Sequence, residues 1–211
     1  VHQFADEDAA FAYADECVRI TAARLALSNR ATDVGILILA AMRAHDLDGT
    51  ARHWADQFVY DDRRRYSGDP LNDRTGMRLA MQRIFKQYSR FESRVLAVRG
   101  SSLNLASHCW SDDNGNRSSS IILAEVDEDD RIIYEGRFDE DDFDAAYQAM
   151  ENRYYAGEGA EFAESGNTST QVVLASNAGD LDRVFGELMA PDMRVDSRSG
   201  SIFPDRTTEE F

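Results

Sequence analysis

Between residues 32 and 160 the spacing of apolar residues changes once, from helical to alternating, and that change predicts the order of elements. Thr32 and Asp33 are placed to cap a helix carrying Ile36, Leu37, Leu39 and Ala40, which breaks at His45 and Asp46. Asp46 then caps a second helix, where Leu47, Ala51, Trp54 and Phe58 recur at steps of three and four residues and form one buried face. A strand is predicted over 58–64, and Ser67, Gly68, Asp69 and Pro70 make a turn. The stretch 74–88, with Met77, Leu79, Ala80, Met81, Ile84 and Phe85, suits a third helix.

From Glu92 onward the period is two. Strands are predicted over 92–99, 103–111, 118–126 and 131–138, with Gly100, residues 112–115 and residues 127–130 as hairpin turns. Links this short join neighbours antiparallel. The acids at 139–142 then open a helix against the positive end of its dipole, and Phe143, Ala146, Tyr147, Met150 and Tyr154 line one of its faces. Helices segregated to one side of an antiparallel sheet make an α+β arrangement, and a curved sheet crossed by helices leaves a conical cavity.

The same pattern recurs at an offset of 134 residues. Phe4, Asp8, Ala12, Tyr13, Arg19, Ala22 and Ala26 return as Phe138, Asp142, Ala146, Tyr147, Arg153, Ala156 and Ala160. The register then holds through Ala41, Ala44, Asp46, Leu47 and Asp48, which return as Ala175, Ala178, Asp180, Leu181 and Asp182. It ends with Asp62, Arg64, Ser67 and Pro70 as Asp196, Arg198, Ser201 and Pro204. We read residues 1–31 as the last helix of one copy, 32–160 as a complete copy and 161–211 as the opening of a third. On this reading both ends are cut, and residues 171–189 form helices whose apolar side expects a sheet.

Composition narrows the partners. A net charge of −16 sets nucleic acid and anionic membranes aside, because each phosphate contact needs Lys or Arg brought to a polyanion. The longest apolar run, 34–41, falls far short of the roughly 20 residues that span a bilayer. No secretory leader opens the chain, and Val1 in place of Met points to a start upstream, so the expected compartment is the cytoplasm. Cys17 and Cys109 read as small buried thiols, and no two histidines have the spacing of a metal site.

The stretch from Phe58 to Pro70, FVYDDRRRYSGDP, the strands around VLAVRGSSLNLASHCW, and the closing FDEDDFDAAYQAMENRYYAGEGA resemble SnoaL-like members of the nuclear transport factor 2-like superfamily. More narrowly, they are similar to tandem copies found toward the C-termini of large actinobacterial regulators. The resemblance implies a cystatin-like cone, a curved antiparallel sheet with helices on its concave side. It also implies an Asp, a variable residue and an Arg at the end of the first strand, here Asp62, Arg63 and Arg64 and again Asp196, Ser197 and Arg198. His is common between that Asp and Arg, and both copies depart from it.

Four residues are candidates for a ligand site. Asp62 and Arg64 lie two apart on a strand and share a side, either as a salt bridge to a loop or as a base with its orienting cation at the cavity mouth. His108 and Trp110 share a strand face with Asn104 and Ala106, either as a core pair or as a wall for a flat apolar ligand. Taking that face as concave predicts a pocket with Leu39, Leu105 and Val126 in its walls. A one-residue slip would instead turn Leu103, Leu105, Ser107 and Cys109 inward. No cofactor motif stands out. Two function classes follow: a non-catalytic ligand-sensing or assembly domain of a larger regulatory protein, partnered by neighbouring copies or by a homodimer through the sheet; and an isomerase, cyclase or dehydratase of small apolar carbonyl compounds, with Asp62 as its candidate base.

Overall fold

A computed structural model describes residues 27–68, 70–190, 192–195 and 206–207. Its first helix, α1 (Arg30–Arg43), is capped by Asn29, three residues before Thr32, the first expected cap. Asn29 accepts from the backbone N–H of Thr32 while the Thr32 hydroxyl accepts from that of Asn29, a reciprocal box that satisfies two free donors. Asp46 caps α2 (Leu47–Ala51) through the Gly49 N–H, as expected, but α2 stops at Ala51.

Trp54 and Phe58, read above as the continuation of that helix, belong instead to β1 (Trp54–Asp62). Both side chains are buried in the core that the helical spacing pointed to. A three-to-four-residue step followed by a strand end thus imitates a helical stripe. Asp73 caps α3 (Arg74–Gln87), which buries Met77 and Met81 almost completely.

The hairpins follow the expected lengths: β2 (Arg90–Arg99), β3 (Leu103–Ser111), β4 (Arg117–Val126) and β5 (Ile132–Phe138). They pair antiparallel in sequence, and β1 joins the other side of β5 in parallel, giving the order β1-β5-β4-β3-β2. The fold is α+β, with a curved, unclosed five-stranded sheet. The parallel edge is allowed because the connection from β1 to β5 is the whole of α3 and three strands. Register shifts interrupt three of the four pairings. One of them, opposite Glu125 and Val126, reverses the parity of β5, so Ile132 faces the same side as Glu135 and Arg137.

Two cores lie on the two faces of the sheet. The first gathers Ala31, Val34, Ile38 and Met42 of α1 with Trp54, Met77, Met81, Phe91, Trp110, Val126 and Ile132. The second gathers Leu103, Leu105, Ile121, Leu123 and Phe138 under Ala146, Ala149 and Met150 of α4 (Phe143–Ala156). Helix α4 therefore covers the face opposite α1, the surface through which a homodimer was expected. Ile36 and Leu37, expected on the buried stripe of α1, are 63% and 55% exposed. The buried stripe is the one through Ala31, Val34, Ile38 and Met42.

A turn at 160–162 leads to α5 (Ala163–Asn177), which packs on α4. Next come a short helical turn, Leu181–Arg183, and a π-type turn, Val184–Leu188; β6 (Arg194–Val195) then pairs with β7 (Arg206–Thr207). Cys17 and the repeat residues before Leu27 lie outside the described residues, as do Asp196, Ser197 and Arg198. No helix among the described residues is long and apolar enough to cross a membrane.

Residues 171–189 carry exposed Val173 and Leu181, and among the described residues their main contacts are with α4 and with one another. Their amides should exchange on the order of 100-fold faster than those of residues 92–138 in a hydrogen-exchange measurement. Equal protection would make 161–190 part of the same cooperative unit as the sheet.

Candidate functional site

Between α1 and the sheet lies a cavity of about 210 Å³. Its wall on the helix side is Ala31, Gly35, Ile38, Leu39 and Met42, closed below by Met81 of α3 and Trp54 of β1. The sheet contributes alternate residues, as a period of two requires: Phe91, Ser93 and Val95 from β2, Asn104, Ala106, His108 and Trp110 from β3, and Ile122 and Ala124 from β4. The register shift in β5 adds Ile132, Glu135 and Arg137 to the same wall. Gly35 faces the sheet, where a Cβ would meet the Asn104 amide nitrogen at 3.5 Å, an ordinary contact distance.

His108 and Trp110 both line this cavity. Trp110 stacks on Phe91 at 4.2 Å between ring centroids, and Phe91 meets the His108 ring edge-on at 5.0 Å. The ring nitrogens of His108 make no hydrogen bond to any other described residue, and the residue lines the cavity. Burial, with the Arg137 charge adding to it, pushes its pKa down to about 3. The imidazole is therefore neutral, with one N–H to donate and one lone pair to accept. Asn104 donates to the Ala31 carbonyl at 3.3 Å and presents its remaining amide atoms to the same space.

Asp62 and Arg64 do not line the cavity. Asp62 accepts from the Arg64 guanidinium at 2.6 and 2.8 Å, from the Arg64 backbone at 3.3 Å and from the Gly68 backbone at 3.4 Å, which ties down the turn after β1. Burial alone would raise the Asp62 pKa, but the bonds from Arg64 outweigh it and hold the carboxyl below the ordinary range. The hydroxyl of Tyr60 reaches Asp62 at 3.4 Å, and the Arg137 guanidinium lies over the Tyr60 ring at 5.2 Å. Burial pushes the Tyr60 pKa up to about 12. Leu105 packs in the opposite core, because it alternates with Asn104 and Ala106 on β3; Val126 lies in the core on the cavity side, and Leu39 is in the cavity wall. Cys109 also faces away from the cavity and is half-buried, with the Arg117 guanidinium 3.2 Å from its sulfur.

Sequence reasoning missed the polar floor. Glu135, only 3% exposed, accepts from the Arg137 guanidinium at 2.8 Å through Oε1 and from the Trp54 indole N–H at 3.0 Å through Oε2. The signal was present: Glu135 and Arg137 have the same acid, one residue, Arg spacing as Asp62 and Arg64. No cluster of metal-ligating side chains occurs among the described residues.

No family model matches the chain, and no curated protein matches it. Several solved structures are similar to it. One is an uncharacterised cystatin-fold protein from Novosphingobium aromaticivorans, 13% identical, covering 52% of this chain and 97% of its own, with a TM-score of 0.40. Another is an NTF2-like protein of unknown function from Burkholderia xenovorans, 18% identical, covering 51% of this chain and 80% of its own, with a TM-score of 0.44. A third is Rv0760c from Mycobacterium tuberculosis in complex with estradiol-17beta-hemisuccinate, 11% identical, covering 52% and 93%, with a TM-score of 0.43. These likenesses bring no activity with them, and the functional reading rests on the cavity's own chemistry.

Two measurements test the electrostatics of this site. Replacing Glu135 by Leu leaves the half-buried Arg137 charge without its partner and should cost about 3 kcal/mol in denaturant unfolding, most of it recovered when Arg137 is also replaced by Leu. His108 stays neutral when folded but protonates near its ordinary 6.5 when unfolded, so the unfolded chain binds the extra proton in acid. Its contribution is neutral above about pH 7 and destabilises as pH falls from 6.5 toward 3, by at most ~1.4 kcal/mol per unit. His108→Gln should flatten the stability curve between pH 6.5 and 4.5 by up to that slope; an unchanged slope would mean that the ring can protonate in place.

Proposed function

We propose that this domain binds a small, neutral, ring-shaped apolar molecule in the cavity without transforming it, as a sensing or assembly module of a larger regulatory protein. One observation carries the reading: each acid–base side chain in the cavity wall is disarmed. Both carboxylate oxygens of Glu135 are engaged, by Arg137 and Trp54. His108, with a pKa near 3, is too weak a base at neutral pH. What remains is an apolar surface with a neutral imidazole and an amide, which suits one hydroxyl or carbonyl on an otherwise apolar skeleton.

The competing isomerase, cyclase or dehydratase needs a free carboxylate base in a dry pocket. Asp62, the candidate for that role, is bonded into the turn after β1. The tandem-copy part of the reading is supported by local geometry. The bonds His45 N to Met42 O, Asp46 N to Ala41 O and Thr50 N to Asp46 O have counterparts 134 residues on, in Gly179 to Ser176, Asp180 to Ala175 and Val184 to Asp180. Asp46 and Asp180 each accept from the backbone three residues ahead.

The chain's two tryptophans, Trp54 and Trp110, both line the cavity, so intrinsic fluorescence reports its occupancy directly. Titration with a neutral bicyclic ketone such as 2-tetralone should change the emission, with Kd on the order of 100 μM for a ligand of that size. Replacing His108 by Leu should weaken binding about tenfold, the worth of one hydrogen bond. Asp62→Asn should lower stability by about 2 kcal/mol and leave the titration unchanged. A saturable turnover of the ketone that Asp62→Asn abolishes would instead favour the enzyme.

A further inference from the structure

The Arg137 side chain has hydrogen-bonding capacity that its partners in the protein leave unused. An arginine donates from Nε, Nη1 and Nη2 and accepts nothing. Here Nε donates to Oε1 of Glu135 at 2.8 Å, and Nη2 lies 2.8 Å from the same oxygen. The Tyr60 ring covers one face of the guanidinium at 5.2 Å. Nη1 makes no hydrogen bond among the described residues.

The side chain is 16% exposed, and Arg137 lines the cavity. Among the described residues the one buried side-chain polar atom without a hydrogen bond is Oε1 of Glu151, so the free N–H groups of Arg137 open onto space and not onto protein. What this part of the wall offers is therefore donors, since Arg137 and Trp54 already engage both oxygens of Glu135. Its charge is also balanced. A carboxylate placed here would bring an unpaired negative charge beside Glu135, whereas an uncharged acceptor brings none.

We propose that Arg137 is the specificity-determining residue of the cavity, donating from Nη1 to a carbonyl oxygen, so that the molecule held is a neutral ketone-like compound in preference to a donor-only or acidic one. The inference rests on the ligand-binding reading above and adds the group that selects among apolar rings. A carbonyl oxygen has a second lone pair, which leaves it able to accept from His108 in the same cavity.

Two bicyclic probes separate reading the ligand from merely housing it. 2-Tetralone accepts and cannot donate, whereas indole donates and does not accept. Each is titrated into the isotope-labelled full chain, where the side-chain N–H resonances of Trp54 and Trp110 report on the cavity. Glu135→Gln/Arg137→Leu removes both charges together and keeps an amide oxygen for the Trp54 N–H. The expected result is a Kd for 2-tetralone weakened about tenfold or more in that variant, with the Kd for indole unchanged within about twofold. On the unaltered protein a tetralin carboxylate should bind about tenfold more weakly than 2-tetralone, and the carbonyl carbon of the bound ketone should resonate downfield of its position in water. These last two readouts need no variant to fold. Equal loss of both probes, loss of neither, tighter binding of the carboxylate, or a carbonyl carbon that does not move downfield overturns the proposal. Failure of both probes to bind the unaltered protein is a distinct result, which overturns the ligand-binding reading and this proposal with it.

Discussion

The buried pair of Glu135 and Arg137 is the interaction on which the cavity depends. Two charges withdrawn from water are tolerated only where their remaining hydrogen-bonding capacity is met. Here Trp54 supplies a donor to the free oxygen of Glu135, and the Tyr60 ring lies under the guanidinium. Both residues come from β1, whose parallel pairing sets Tyr60 beside Glu135 and Asp62 beside Arg137. The ion pair thus fixes the edge strand to the sheet as well as forming the cavity floor. It also governs the chemistry above it, because the Arg137 charge adds to burial in keeping His108 unprotonated.

In the function proposed above, that electrostatic arrangement separates holding a ligand from reacting with it. A general base must be unprotonated, able to accept, and close to a pKa that makes transfer worthwhile. Glu135 fails on availability and His108 on basicity, while Asp62 is occupied outside the cavity by Arg64 and Gly68. The groups that defeat proton transfer do not hinder recognition, since a neutral imidazole retains a donor and an acceptor. A single polar group buried against them is selected strongly, because a molecule lacking it leaves those atoms without a partner.

Where side-chain period and hairpin length determine structure, the sequence was readable. The four hairpin strands, the cap at Asp46 and most of the face of α4 were anticipated from alternation, turn residues and helical spacing, but Phe143, expected on that face, is 40% exposed and Ala149 is buried there. The placement of His108, Trp110 and Leu39 around one space follows from the same alternation. Parity also decides Leu105, which alternates with Asn104 and so belongs to the other core. Three things were not readable. Trp54 and Phe58 keep a helical interval inside a strand; the cap moved to Asn29 because Thr32 completes a box with it; and the register shift in β5 turns Glu135 and Arg137 inward. Each depends on a partner elsewhere or on an irregularity that leaves no mark in local spacing.

The repeat gives a different kind of information, because it allows one part of the chain to be read against another. The shared bonds at 41–50 and 175–184 show that the two segments turn the same way between helices, with His45 and Gly179 both at positive φ. Against that common frame α1 and α5 differ in what their shared sides meet. The cavity positions Ala31, Gly35, Leu39 and Met42 of α1 correspond to Ser165, Ser169, Val173 and Ser176 of α5, all of which are exposed. Gly166 and Thr170, on the side of α5 that α4 covers, correspond to Thr32 and Ile36 of α1, both in the cavity wall. The side that meets a neighbouring helix in α5 therefore borders the cavity in α1, where Ile36 is left 63% exposed at its wall.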